Sequence, residues 1–272
     1  MDQAGGLHVF TTLRFDEELK RLPENASHSG NIASSVYLLD LHVQRLRDAA
    51  QLSPHVQADS SSLVDAATFY AELLAAIHSR PDVQATAEIE GAFRVRFALY
   101  PDGRVVIDIA AIARVPRITL FPPSFGLSSD QAPIEWSVVL DQKTTELSTA
   151  TTVKTSDREA YNRARRDAGI TSLTAKAEVL LHNGRGEIMD ASITTPYFFL
   201  EGRWITPAST CGGQQGVTRR WALDSGLCKE GIVHRDSLLH GQTVYLSNAV
   251  RGFFKATLMS KAAGKEAHDS VH

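Results

Sequence analysis

Apolar and polar positions change period several times along this chain, and each period predicts an element. Residues 8 to 15, His8-Val9-Phe10-Thr11-Thr12-Leu13-Arg14-Phe15, are β-branched and aromatic enough to read as a strand. Polar residues broken by Pro23, Asn25 and Gly30 predict a loop from Asp16 to Gly30. Val36, Leu39, Val43, Leu46 and Ala50 recur at three- and four-residue spacing, which predicts a helix capped by Ser34 or Ser35 and running to about Leu52. A capping-box pattern from Ser62 to Asp65 opens a second helix, which turns Leu63, Ala66, Tyr70, Leu73 and Ile77 inward and stops before Pro81. Alternation from Phe93 to Tyr100 and from Arg104 to Ile109, joined by Pro101-Asp102-Gly103, predicts a hairpin.

From Pro116 to Pro133 prolines, serines and Gly126 interrupt every period, so a domain boundary is expected there, dividing the chain into residues 1–128 and 129–272. Beyond it, Ile134 to Leu140 reads as a strand. Ser156 and Glu159 form another capping box, and Ala160, Tyr161, Ala164 and Ala168 give the following helix an apolar face that ends at Gly169. Glu178 to His182 and Glu187 to Ser192 are strands joined by Asn183-Gly184-Arg185-Gly186, and Tyr197 to Leu200 with Trp204 to Thr206 make another hairpin. Gly212-Gly213-Gln214-Gln215-Gly216 leads into a helix at Val217, and a last strand, Thr243 to Ser247, is broken at Arg251-Gly252 before a polar tail. The class is mixed α/β.

At 272 residues, 43% apolar and 22% charged, the composition is that of a globular protein. A formal net charge of −3 and a pI near 6.4 give no broad basic field for nucleic acid or an anionic membrane. Cys211 and Cys228 lie 17 positions apart with no CxxC and no histidine pair at ligand spacing, which argues against zinc and a disulfide framework and for a reducing compartment. With no apolar run of membrane-spanning length and no basic segment leading into an apolar one at the start, a cytoplasmic location is expected.

Lys154 stands beside the predicted helix at Ser156, and 36 residues later a strand carries Asp190. A lysine that forms a Schiff base and shuttles protons, with a carboxylate that keeps a pyridine nitrogen protonated, is the pairing a pyridoxal phosphate enzyme needs. Taken alone it is a common pairing among 28 Lys and Arg and 31 Asp and Glu. The glycine turn before Val217 suits a phosphate at a helix start, and it reads equally well as a plain loop; it matches neither GxGxxG nor a P-loop. By burial statistics Arg45 alone is a solvated helix arginine, whereas Asp190 reads as a buried carboxylate on its strand.

Six motifs in order carry a family resemblance. Phe10-Thr11-Thr12-Leu13-Arg14, His42 to Ala50, Lys154-Thr155-Ser156-Asp157-Arg158, Gly186 to Ser192, Gly216-Val217-Thr218-Arg219 and Ser247-Asn248-Ala249 resemble those of class IV aminotransferase-fold enzymes, and most closely those of 4-amino-4-deoxychorismate lyases. The resemblance implies a two-domain α/β fold of the D-amino acid aminotransferase type (fold type IV), pyridoxal 5′-phosphate between the domains and a homodimer acting on a small molecule. It implies that Lys154 is the Schiff-base lysine and that Asp190 faces the pyridine nitrogen. Arg45 with the backbone of Val217 and Thr218 would grip the phosphate, Asn248 or Ser247 would add a contact, and Thr12 and Arg14 would lie on the substrate side. The implied activity is the lyase reaction giving p-aminobenzoate and pyruvate. The alternatives are a class IV aminotransferase acting on a D-amino acid, a branched-chain amino acid or an amine, and a non-catalytic relative. Two departures stand out: Asp190 is a methylene shorter than the family's usual glutamate, and Thr195-Pro196-Tyr197 replaces Asn-Ile-Phe. Arg158 stands where branched-chain aminotransferases place a tyrosine.

Overall fold

The fold is that of a computed structural model, which describes residues 6–29, 33–52, 65–81, 85, 91–125 and 134–259. The expected boundary at 128/129, Ser62, Leu63 and the tail from Lys261 lie outside the described residues. Among the described residues the named strands form two sheets.

The smaller sheet is antiparallel, with β1 (Val9–Phe15) pairing with β2 (Gly91–Leu99) and β2 with β3 (Val105–Ala113). Alternation along β1 sends Val9, Leu13 and Phe15 into a core built with helices α1 (Leu39–Leu52) and α2 (Ala66–His78). The next residues in the pleat, Phe10 and Thr12, face the other way. Helix α1 begins three to four residues later than caps at Ser34 or Ser35 suggest. The segment before it pairs with the end of β1 instead, through a bridge between Phe15 and Val36 and hydrogen bonds from Asp16 N to Ser35 O and from Tyr37 N to Arg14 O. Asp65 caps α2, accepting from Ala67 N and Thr68 N. The expected loop from Asp16 holds two short helical turns, Glu17–Arg21 and Pro23–Ala26, the first capped by Asp16.

The larger sheet has eight strands in the order β6-β5-β4-β11-β10-β7-β8-β9. They are β4 (Trp136–Leu140), β5 (Ala177–His182), β6 (Ile188–Ala191), β7 (Thr195–Leu200), β8 (Arg203–Pro207), β9 (Lys229–Gly231), β10 (Thr243–Asn248) and β11 (Gly252–Leu258). Helices α3 (Glu159–Asp167) and α4 (Val217–Asp224) pack on it. The Arg251-Gly252 break is a hairpin turn. Gly252 takes φ +73, and any Cβ there would run into Thr119 O; β11 thus follows the strand expected to be the last. Ser156 does not cap α3; Arg158 holds the cap position, and the Ser156 hydroxyl accepts from His8 N at 3.1 Å.

This last contact belongs to the seam between the sheets. Phe10 N donates to Lys154 O at 3.0 Å and Ser156 N to His8 O at 2.8 Å, so residues 154–156 add a short antiparallel edge to β1, with Val9 bridging Thr155. Arg14, 1% exposed, donates to Ala113 O at 2.7 Å and Val250 O at 3.0 Å, tying β3 to the β10–β11 turn. Helix α1 packs against α4, and Arg220 pairs with Asp48 at 2.6 Å. Among the described residues no helix is long and apolar enough to cross a membrane, and no group of three His, Cys, Asp or Glu is placed to hold a metal.

Candidate active site

The paired segment 154–156 fixes the backbone of Lys154 on the small sheet and leaves its side chain reaching toward the large one. The half-buried ammonium lies 4.9 Å from the centre of the Phe10 ring and 3.4 Å from Gln214 Oε1. Burial, and then the guanidinium groups of Arg158 and Arg45, hold this lysine well below its ordinary value, with Asp190 pulling the other way. Desolvation and neighbouring cations lower the amine, and the helix expected to start at Ser156 begins farther along the chain, at Glu159.

Asp190 sits on β6, opposite Leu181 of β5, and is 6% exposed. Burial pushes its carboxyl up to about 7, against the pull of the Ala191 N–H, Lys154 and Arg158. The strand is anchored just beyond it by Glu178, which is fully buried. Glu178 accepts from Ser192 N at 3.1 Å, Ile193 N at 3.0 Å, Thr194 Oγ1 at 2.9 Å and the Ser192 hydroxyl, and Arg165 lies 3.6 Å away. Tyr161 from α3 donates to Thr151 O at 2.9 Å, and Asp190 acts electrostatically on it.

Across from Asp190 lies the glycine turn. A Cβ on Gly213 would overlap Met189 O, so only glycine lets this turn lie against the strand that carries Asp190. That close approach brings Gln214 inward, 7% exposed, where its Oε1 accepts from both Lys154 and Arg45 at 3.4 Å. Gly216 then caps α4, and the first amides, those of Val217 and Thr218, begin a helix with no intrahelical acceptor for them. Ser247 on β10 joins this end, its hydroxyl 2.7 Å from Thr218 Oγ1 and 2.8 Å from the Tyr197 hydroxyl. Arg45 is half-buried and its guanidinium is pulled down to about 10 by burial and by Arg220, with Asp190 opposing.

Buried donors exceed acceptors here. Arg158 Nη1 and Gln214 Nε2 are buried with no protein partner, and so is His42 Nε2, whose ring meets Thr11 Oγ1 through Nδ1 at 2.6 Å. Burial, with Arg45 and Lys154 nearby, pushes His42 down to about 3, so its ring is neutral. A cluster of Arg45, Arg158 and Lys154 against Asp190, with Glu178 taken up by the turn after β6, is short of negative charge, and buried unpaired donors cost on the order of 1–3 kcal/mol each. An anionic ligand with several acceptors would relieve both.

The chain matches the family described as amino-transferase class IV over residues 9–258. It belongs to that family. An aminodeoxychorismate lyase of Saccharomyces cerevisiae is 32% identical over 143 residues, 47% of this chain and 38% of that protein; the chain thus aligns with well under half of that relative. A Schizosaccharomyces pombe protein provisionally named aminodeoxychorismate lyase is 30% identical over 171 residues, 61% of this chain and 67% of that protein. A structure from Mesorhizobium loti, provisionally described as an amino-acid aminotransferase, superimposes with a TM-score of 0.64 at 25% identity, covering 93% of this chain and all of that one. The fold is fold type IV.

In this class IV chain several residues expected from sequence stand together: Lys154, Asp190, Arg45, Val217, Thr218 and Ser247. Asn248 is at the same end but is engaged elsewhere, its Oδ1 accepting from Val250 N and Arg251 N at 3.1 and 2.9 Å and its Nδ2 facing Ile193 O at 3.4 Å. Arg14 uses its guanidinium as the tie between the sheets described above, which places it in the seam. Thr12 is half-buried opposite Arg96, on the Phe10 face of the small sheet. Sequence reasoning missed Gln214, His42 and Phe10 as members of the site. Their shared signal was the motifs themselves: each lies within a stretch quoted for the resemblance or one residue pair before it, but none carries a charge at ordinary pH that would single it out.

Proposed function

We propose that this chain is a pyridoxal 5′-phosphate-dependent lyase converting 4-amino-4-deoxychorismate to p-aminobenzoate and pyruvate. The observation that carries the reading is that Lys154 and Asp190, 36 residues apart in sequence, act on each other electrostatically beside buried donors that lack acceptors. The two named fungal relatives support the choice of lyase. The residues suit the cofactor: Lys154 would hold its aldehyde carbon and Asp190 its ring nitrogen, while Arg45, the Val217 and Thr218 amides and Ser247 would hold its phosphate. When bound, the cofactor supplies an electron sink for charge developing at the substrate's α-carbon.

The protein's own part is positioning and proton movement. Lys154 Nζ, with its proton affinity lowered by burial and Arg158, takes the proton from the α-carbon and returns one to the pyruvyl fragment as p-aminobenzoate leaves. Asp190 keeps a proton on the ring nitrogen, and the Phe10 ring shields the amine on one side. We read the two sheets as two domains divided near residue 128, with the site at their seam, in a cytoplasmic homodimer.

Purified protein should be yellow, and borohydride should bleach it and fix the cofactor on Lys154 in a peptide map. An adduct on another lysine would overturn the assignment. An aminotransferase reading is favoured by the Mesorhizobium loti match, and substrate separates the two. Aminodeoxychorismate alone should give p-aminobenzoate and pyruvate with no keto acid required; single-substrate conversion of the cofactor to its amine form, reversed by a keto acid, would favour the aminotransferase.

A further inference from the structure

Tyr197 adds a hydroxyl where the resembled motif has phenylalanine, and the residue is fully buried. Strands β7 and β10 pair Tyr197 with Tyr245 and Thr195 with Ser247, so Tyr197 and Ser247 are diagonal neighbours on one face of the large sheet. The Tyr197 and Ser247 hydroxyls lie 2.8 Å apart, and Ser247 Oγ lies 2.7 Å from Thr218 Oγ1, on the second residue of α4. The three residues are no more than 1% exposed. Their hydroxyls form a row that runs from an aromatic core to the helix start.

Among the described residues these hydroxyls make no other hydrogen bond. Three O–H groups joined by two contacts leave one proton over. It does not fall to the phenol. The Tyr197 ring packs among Phe125 and Phe253, with ring centres 5.0 and 5.9 Å away, and its hydroxyl meets no acceptor but Ser247 Oγ among the described residues. Burial also holds the phenol in its protonated form. A buried phenol with one acceptor donates to it, so the spare proton belongs to Ser247 or Thr218, beside the first amides of α4. A hydroxyl that accepts from a phenol is in turn a stronger donor. We propose that Tyr197 is a positioning residue, which turns a Ser247 or Thr218 proton toward an oxygen of the cofactor's phosphate; this rests on the pyridoxal phosphate reading above.

The test is a pair of dissociation constants, for pyridoxal 5′-phosphate and for pyridoxal, which lacks the phosphate, read from equilibrium titrations of the visible absorption. The pyridoxal constant divided by the other isolates the phosphate contacts, whereas a loss of packing would weaken both alike. Tyr197→Phe keeps the ring in its aromatic surroundings and should lower this ratio about threefold or more, with pyridoxal binding unchanged. In a Ser247→Ala background the same change should add nothing, because the row is already cut. Should the Phe variant fail to fold, 3-fluorotyrosine at position 197, a more acidic donor of nearly the same size, should raise the ratio. With cofactor fixed on Lys154, an unmoved ratio, equal weakening of both constants, or a further loss in the Ser247→Ala background overturns the role of Tyr197 alone. Native protein that binds neither compound, or shows no preference for the phosphorylated one, overturns this proposal and the functional reading together.

Discussion

Two buried polar clusters lie within a few residues of each other, and they are built on opposite plans. Around Glu178 a single carboxylate is ringed by donors, from Ser192, Ile193 and Thr194, with Arg165 alongside. Around Lys154 the donors belong to Arg45, Arg158 and Gln214, and two of their buried nitrogens have no partner. A satisfied cluster holds architecture; one with surplus donors fits the proposed anionic ligand. The difference also divides the two carboxylates: Glu178 is used up by the turn, whereas burial raises Asp190 to about 7, which suits the proposed partner on a ring nitrogen.

The sharpest break of this contrast is Lys154→Met. It should abolish the covalent adduct and lower kcat by on the order of 10³-fold or more, while the cofactor-free variant, relieved of one cation beside Arg45 and Arg158, should unfold at no lower denaturant concentration than the native protein. Glu178→Ala should behave the other way. Leaving Arg165 and the turn donors without their acceptor should cost about 3 kcal/mol or more in urea unfolding, whether or not cofactor is present. Stability unchanged by Glu178→Ala would show that the turn holds itself.

Asp190→Asn comes next, with turnover expected to fall about a hundredfold and the adduct retained, since an amide cannot hold the ring-nitrogen proton. The same variant has a pH signature in cofactor-free protein. A carboxyl raised from 3.8 to about 7 contributes stability that is fully present below pH 3.8 and is lost as pH rises through 7. Native protein should therefore weaken across that window, with a slope of at most about 1.4 kcal/mol for each pH step of one, and Asp190→Asn should flatten the slope. Identical slopes would return Asp190 to an ordinary strand residue. The smallest effect belongs to Arg45→Ala, which should raise the cofactor dissociation constant about tenfold, because one of two charge-assisted grips remains at α4. An unchanged constant would mean that the arginine serves only its neighbours on α1.

What can be read from sequence is local. Lys154, Asp190 and the Gly216–Thr218 turn stand out only through the ordered set of motifs that contain them, and most strands are legible because pleating imposes alternation. The start of α1 is misleading because Ser34 and Ser35 look like caps, whereas pairing of residues 35–37 with β1 outcompetes helix there. Strand β11 is hidden because Gly252 reads as a breaker, and it is in fact the turn into another strand. Arg14 falls on the substrate side by its motif alone. Its two backbone acceptors, Ala113 and Val250, are 99 and 236 residues away in sequence, beyond the reach of any local pattern. Asn248 misleads for the reverse reason: its side chain is consumed by the amides two and three residues on, a local turn that a phosphate role overlooks.

The hydrogen bond from Phe10 N to Lys154 O makes the lysine an arm with a fixed shoulder and a free hand. In the proposed reaction Lys154 Nζ would move a proton from one atom to another, which asks that its tip travel while its root does not. Because the shoulder is bolted to the small sheet, and the carboxylate it works against is bolted to the large one, the reach of the stroke is set by the joint between sheets. A substitution in that joint, at Val9 or Ser156, would retune the stroke without altering any group that takes part in it.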